Sequence, residues 1–386
     1  VRSIYLFSGF CIVFCFSFPN LFSAKAQYTQ PQQTEKHLSS TEDKRPKYLG
    51  QISNSLLVSA YAEMFYSYDF SKPAQHIRQP FLCSFNRHNE PNLNLGYLKA
   101  AFTRQNIRAN VAVMAGTYSI DNLGREPGIL KNVFEANIGF ALSKKRNLWI
   151  DAGTFVSHIG FESAIGKDCW NLTRSLLAEN SPYYETGAKI THTSTNEKWL
   201  LSMLLLNGWQ RIYRHDGYDS PALGHQLTFK PNANTLLNSS SFAGEMRNDS
   251  AAPMRYFHNF YGQFQLHQKI GLTLGFDIGL QTRKNNGQFN TWYSPLAIIK
   301  LSASEKFKIA ARTEYYHDAK GTIIATNTPN NFQAFGYSLN LDYLLSDKIL
   351  WRIEGRGLYS KDPLFRINNN PSQHNYCLST SLCISI

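Results

Sequence analysis

The stretch FQAFGYSLNLDYLLSDKILWRIEGRGLYS (332–360) carries the reading of the fold. In its first half Phe335, Tyr337, Leu339, Leu341 and Tyr343 alternate with Gly336, Ser338, Asn340 and Asp342. After Ser346-Asp347-Lys348 the same two-residue period resumes. Trp351, Ile353 and Tyr359 alternate with Arg352, Glu354 and Arg356, and Gly355 and Gly357 take the remaining outer positions. Successive side chains of a strand point to opposite faces. Each half therefore presents one greasy face and one polar, charged face. A soluble barrel would need its polar face outside and an apolar core. Two strands joined by so tight a turn, with charge on the inner face, suit lipid on one side and a wet lumen on the other.

The pattern recurs from Leu56 to the last residue. Val58, Ala60, Ala62, Met64, Tyr66 and Tyr68 share one face, and Ser59, Tyr61, Glu63, Ser67 and Asp69 share the other. Strands are predicted near 56–70, 91–104, 107–118, 131–143, 147–160, 183–195, 198–209, 223–230, 234–246, 254–267, 270–283, 289–303, 307–318, 332–345, 349–360 and 374–386. The apolar face is thin over 223–230 and 234–246, and 198–209 is apolar on both faces. Links alternate in length. Tight turns such as Gln105-Asn106, Gln268-Lys269 and Ser346-Asp347-Lys348 separate longer links near 71–90, 119–130, 161–182 and onward. Outer-membrane barrels have short periplasmic turns and longer outside loops. The expected fold class is all-β: a transmembrane antiparallel up-and-down barrel of about 16 strands, with about 14 to 18 compatible with the pattern.

Composition agrees. Charged residues are 17% and aromatics 14%, with 21 Tyr and 26 Phe, while mean hydropathy is negative. Membrane helices are excluded by that average, but strands that alternate apolar with polar are not. The single long apolar run, Ile4 to Phe22, follows Arg2 and precedes Ala24-Lys25-Ala26. This reads as a secretory signal over 1–26, with cleavage before Gln27. Residues 27–55 are mostly polar and aperiodic and are expected to be a flexible periplasmic lead-in; residues 56–386 form the barrel. Paired aromatics towards strand ends, such as Tyr183-Tyr184 and Trp292-Tyr293, suit interfacial girdles. Net charge is +12, but Lys144-Lys145-Arg146 is the one tight basic cluster and falls in a turn, so nucleic acid is not an expected partner. The expected partners are outer-membrane lipid and small hydrophilic solutes, and the oligomeric state is left open. Cys83 and Cys169 fall in two long loops and could form a disulfide in an oxidising compartment. Cys377 and Cys383 share one strand, about 20 Å apart at strand rise, too far to bridge.

Several segments together resemble a known family. They are AYAEMFYSYDF (60–70), DAGTFVSHIGFES (151–163) with NLTRSLLAENSPYYETG (171–187), and LLNGWQRI (205–212). In order and spacing they are similar to the β-barrel porin-2 (OmpL-like) outer-membrane family of Bacteroidetes. The resemblance extends over most of residues 56–386. It implies a porin-like barrel and carries over no catalytic residues.

Chemistry beyond the barrel is sparse. The sequence holds no GxSxG, Walker loop, HExxH or GxGxxG opening a helix. His158, His192, His215, His258 and His317 are the rim positions at which an outer-membrane hydrolase could keep a base, but none comes with a recognisable nucleophile. No enzyme activity, cofactor or metal is expected. Charge on the inner face is the positive signal. Glu63, Glu135, Asp151, Lys189, Asp277, Arg312, Glu314, Asp342, Arg352, Glu354 and Arg356 are expected to line the lumen, because Arg or Lys on the lipid side costs roughly 2–4 kcal/mol at the midplane. They would tune solute passage or pair across the lumen. On the first reading Arg352→Glu with Arg356→Glu shifts ion preference. Two functions follow: a passive diffusion channel for small hydrophilic solutes, or a plugged structural or surface-interaction barrel. Loop 161–182, with Trp170, Arg174, Leu176 and Leu177, has the mixed character that a loop folded inward needs.

Overall fold

A computed structural model describes residues 51–53, 55–214, 220–246, 253–283, 287–367 and 370–386. The expected signal, nearly all of the lead-in, and His215 lie outside the described residues. Sixteen long strands close into one antiparallel barrel. They are β1 (Leu56–Asp69), β2 (Pro91–Arg104), β3 (Ile107–Ala115), β4 (Val133–Ser143), β5 (Leu148–Val156), β6 (Tyr184–Thr193), β7 (Trp199–Leu206) and β8 (Ala222–Asn232). The second half comprises β9 (Thr235–Glu245), β10 (Met254–His267), β11 (Ile270–Thr282), β12 (Phe289–Ser302), β13 (Phe307–Asp318), β14 (Phe332–Ser346), β15 (Ile349–Ser360) and β16 (His374–Ser385). Each strand pairs with its chain neighbours, and β16 closes the ring between β15 and β1, with Arg352 opposite Ser381 and Cys383 opposite Glu63. Ile386 exchanges backbone hydrogen bonds with Ala60 in both directions, at 2.9 and 3.0 Å. A short strand, Gln51–Ser53, adds to the start of β1.

The faces are inverted relative to a water-soluble protein. Leu98, Val111, Ile138, Met203, Leu223 and Leu339 are more than half exposed, while Glu63 and Arg352 inside are fully buried. Charged residues are almost never fully buried in soluble proteins unless paired, and so wide an apolar exterior is unfavourable against water. Closing the sheet leaves no unpaired edge in the hydrocarbon. Among the described residues no helix is long and apolar enough to cross a membrane.

The odd-numbered strands all end at one end of the barrel, and among the described residues the link after β5, L3 (157–183), folds into the lumen. Several strands stop earlier than periodicity predicts. β3 ends at Ala115, because the chain turns at Gly116 (φ 123°), where a Cβ would lie 2.4 Å from the Asn94 carbonyl oxygen. A short helix, α1 (Thr117–Asn122), follows. The doubly apolar strand is β7. Its inner Leu204 and Leu206 join Phe81, Phe242, Phe257, Trp292, Phe332 and Phe365 in an apolar cluster inside the upper barrel. An inner face can be apolar where the lumen is packed rather than wet.

Candidate functional site

L3 begins where β5 ends and carries two short helical turns, Gly166–Asp168 and α2 (Leu176–Glu179). Ser175 caps α2, its hydroxyl accepting the Ala178 amide at 3.1 Å, which fixes the turn. The loop's leucines enter three different apolar environments. Leu172 packs with Phe65 and Phe85, Leu176 joins the upper cluster, and Leu177 meets Leu296, Ile298 and Ala310. The inner face of β11 is floored with glycine to receive the loop's rings. A Cβ at Gly271 would lie 2.8 Å from Trp170, and one at Gly275 would lie 3.0 Å from Phe161.

The inner charges of β13 and β15 hold the backbone of this loop, and Asn340 of β14 accepts the Leu172 amide at 3.0 Å. Arg312 donates to the Thr173 carbonyl (2.7 Å) and hydroxyl (3.0 Å), and pairs with Glu354 at 3.2 Å. Glu354 accepts the Thr173 amide at 2.5 Å. Glu314 accepts the Leu176 amide at 2.6 Å and pairs with Arg356 at 2.7 Å, and Arg356 donates to the Arg174 carbonyl at 3.0 Å. Lower down, Arg352 pairs with Asp342 at 2.7 Å and donates to the carbonyls of Gly166 (2.6 Å) and Cys169 (2.9 Å). Glu63 accepts from Ser381 at 3.0 Å and lies against Gly166, where a Cβ would come within 2.4 Å of its carboxylate. Buried charges require partners of this kind, since removing one partner from a buried pair costs about 3–5 kcal/mol.

The remaining predicted residues lie elsewhere. Arg108 pairs with Asp151 at 2.6 Å, and Lys99 pairs with Glu135. The Lys189 ammonium sits 4.8 Å from the Phe155 ring centroid. Asp277 accepts from Asn259 at 2.5 Å, and Asn259 accepts the Gly160 amide at the start of L3. Along β2 to β8, Lys99, Arg108, Asn110, Asn137, Lys189 and Gln226 remain partly exposed, unlike the L3 side.

Other residues of the site have no strand periodicity to mark them. Glu162 accepts from the Ser175 hydroxyl and amide and lies 3.8 Å from Arg312. Arg174 is fully buried and folds back on the carbonyls of Ser163, Ala164 and Leu172. Glu179 accepts the amides of Cys83 (2.9 Å) and Ser84 (3.2 Å), tying the first long loop, L1 (70–90), to L3. Burial pushes its carboxyl up to about 7, against the pull of those amides and of Arg356 and Arg174.

The disulfide considered between Cys83 and Cys169 is not formed, and both thiols are free. Cys169 Sγ turns inward to the Ser163 carbonyl of its own loop at 3.4 Å, while the Cys83 amide is held by Glu179. Both ring nitrogens of His158 are engaged, with Glu185 at 2.7 Å and the Ser241 carbonyl at 2.8 Å. Burial disfavours its charged form, but the adjacent Glu185 carboxylate prevails and holds its pKa above the ordinary value. His317 stacks on Tyr293 and His192 is exposed on the outer face. His258, on the outer face, meets the Ser239 hydroxyl at 3.1 Å, with no carboxylate on its ring among the described residues.

A cavity of about 290 Å³ opens below the tip of L3, among Trp170, Lys300, Lys308 and the short turns.

Three solved structures share the barrel architecture. The chain resembles the anion-selective porin from Comamonas acidovorans (10% identity, TM-score 0.56, 86% of this chain and 99% of that one). It resembles the outer-membrane channel DcaP of Acinetobacter baumannii (9%, 0.56, 86% and 97%). It also resembles Salmonella typhi OmpF in complex with daunomycin (7%, 0.57, 86% and 97%). At such identities the likeness shows the fold alone. No curated protein matches the chain by sequence. The family model described as "Putative beta-barrel porin-2, OmpL-like" matches residues 55–386, and the chain belongs to that family of outer-membrane porin-like barrels.

Proposed function

We propose that this barrel is a passive channel for small hydrophilic solutes whose width is set by L3, latched against the wall of β13 to β15. The carrying observation is the latch itself. Arg312, Glu314, Arg352, Glu354 and Arg356 all bind L3 backbone groups, so the passage left over runs along the polar face of β2 to β8. Channel lumens of this kind select by radius and by the charge that remains free. The Arg108–Asp151 and Lys99–Glu135 pairs line that route. The chain is exported with its signal removed after Ala26, it contacts outer-membrane lipid through its apolar belt, and it has no catalytic role. The engaged nitrogens of His158 support that last point, since a ring so held cannot accept a substrate proton.

The aromatic cluster inside the upper barrel favours a second reading, a barrel plugged in its resting state. Planar-bilayer recording with purified protein separates the two. The channel reading expects small conductance steps in wild type and larger ones when residues 162–180 are replaced by a Gly/Ser linker. Silence of both proteins across a range of salts would sink it.

A further inference from the structure

The cavity beneath the L3 tip has a chemistry that the latch does not use. Lys300 on β12 and Lys308 on β13 face it from the wall, Lys306 rises from the turn between those strands, and Lys167 reaches it from L3. Among the described residues none of these four has a carboxylate within ion-pair distance. Three aspartates, Asp168, Asp342 and Asp347, share the lining with them. Asp342 is occupied by Arg352 at 2.7 and 3.1 Å and by Asn340 at 2.7 Å. Burial pushes the Asp168 carboxyl up while Lys167 draws it back, Asp347 is exposed on a turn, and Lys348 adds a fifth ammonium to the lining, so that five lysines stand against three aspartates. The Lys300 ammonium lies 4.2 Å from the Trp170 ring centroid, an arrangement that orients it without neutralising it. Its strand neighbours also keep it on the lumen side, since Ile298 two residues before it is buried inside.

We propose that this periplasm-facing vestibule binds small oxyanions of two or more negative charges, carboxylate or phosphate. A volume of about 290 Å³ stands at the lower end of ligand-sized sites. Cations from a strand pair, a turn and a loop converge there from different directions, which a compact polyanion satisfies and a monovalent ion does not. The inference deepens the channel reading and rests on it for its consequence: solutes of this class would be concentrated at the inner mouth. An excess of one sign of charge in a cleft, here five lysines against three aspartates, raises the local concentration of its counter-ion.

The test uses the full barrel in detergent, with citrate and inorganic pyrophosphate as probes and glucose as the neutral control. Trp170 beside Lys300 provides the fluorescence signal, checked against Trp170→Phe. Wild type is expected to bind either or both polyanions and not glucose, with at least tenfold weaker binding in Lys300→Gln/Lys308→Gln and in high salt. Citrate alone binding would assign a carboxylate site, and pyrophosphate alone a phosphate site. Heat-modifiable gel migration confirms that the double variant is folded. Equal binding by wild type and the double variant, or no binding of either polyanion by wild type, overturns the proposal. Conductance is recorded on the same preparations. Binding without conductance sinks the channel reading and leaves the site; conductance without binding sinks the site alone.

Discussion

Arg352 shows at a single position how the structure changes the meaning of a charge. Its place on the inner face follows from two-residue alternation, but its partners do not. The guanidinium is divided between Asp342 on the neighbouring strand and two L3 carbonyls. Arg352→Gln should therefore leave Asp342 buried without its cation and destabilise the barrel by about 3–5 kcal/mol. Urea titration followed by gel shift measures this, and a loss below about 1 kcal/mol would remove the latch role. Arg352→Glu with Arg356→Glu is accordingly a latch-breaking change, and its expected effect is larger conductance steps and faster proteolysis within L3 rather than a simple change of ion preference. Glu179 gives a pH prediction at the same scale. Its carboxyl is raised to about 7 in the folded state, against about 4.3 in an unfolded chain. The folded state thus holds the proton more tightly, so stability is gained as pH falls from 7 towards 4.3 and is lost as pH rises through 7. The unfolding free energy read from urea titration should fall between pH 5 and pH 8. Glu179→Gln, which keeps an acceptor oxygen, should flatten that dependence.

Among the elements, the late strands were the most legible and β8 and β9 the least. Their thin apolar face in the sequence proves to be a polar row on the lipid side. Ser241 on β9 stands opposite His225 on β8 and His258 on β10, and its hydroxyl meets His225 Nδ1 at 2.5 Å. Backbone pairing on both edges forms these strands despite the unfavourable face. Polar side chains at this depth are expensive. His225→Leu with His258→Leu should consequently raise the unfolding free energy read from urea titration, by on the order of 1 kcal/mol per site, and an unchanged or lower value would show that the row contributes to the fold. β7 makes the opposite lesson. Its doubly apolar sequence defied a wet-lumen pattern because Leu204 and Leu206 enter the packed upper cluster.

At the scale of the whole molecule, the wall and the loop are not independent. L3 is anchored by carboxylates and guanidiniums from β13 and β15, by Asn340 of β14 and by apolar contacts on three sides, so the L3 side of the barrel's interior resembles a protein core more than a water-filled tube. With no bond between Cys83 and Cys169, reducing agent should leave heat-modifiable migration and unfolding midpoint unchanged. A reductant-dependent shift would mean that the two loops cross-link in the membrane.

The sequence by itself determined the antiparallel membrane barrel and its inner and outer faces, with about 14 to 18 strands left compatible, because those rest on local alternation and on the cost of charge in lipid. It also marked L3 as unusual, through Trp170, Arg174 and the pair Leu176-Leu177. Only the tertiary structure decided where that loop goes, which inner charges hold it, and which lysines gather below its tip. Those outcomes depend on contacts between residues more than a hundred positions apart, such as Thr173 with Arg312 and Gly166 with Arg352. No local period encodes them, since the same inner-face arginine satisfies the pattern whether it faces water, an aspartate or the carbonyls of a loop.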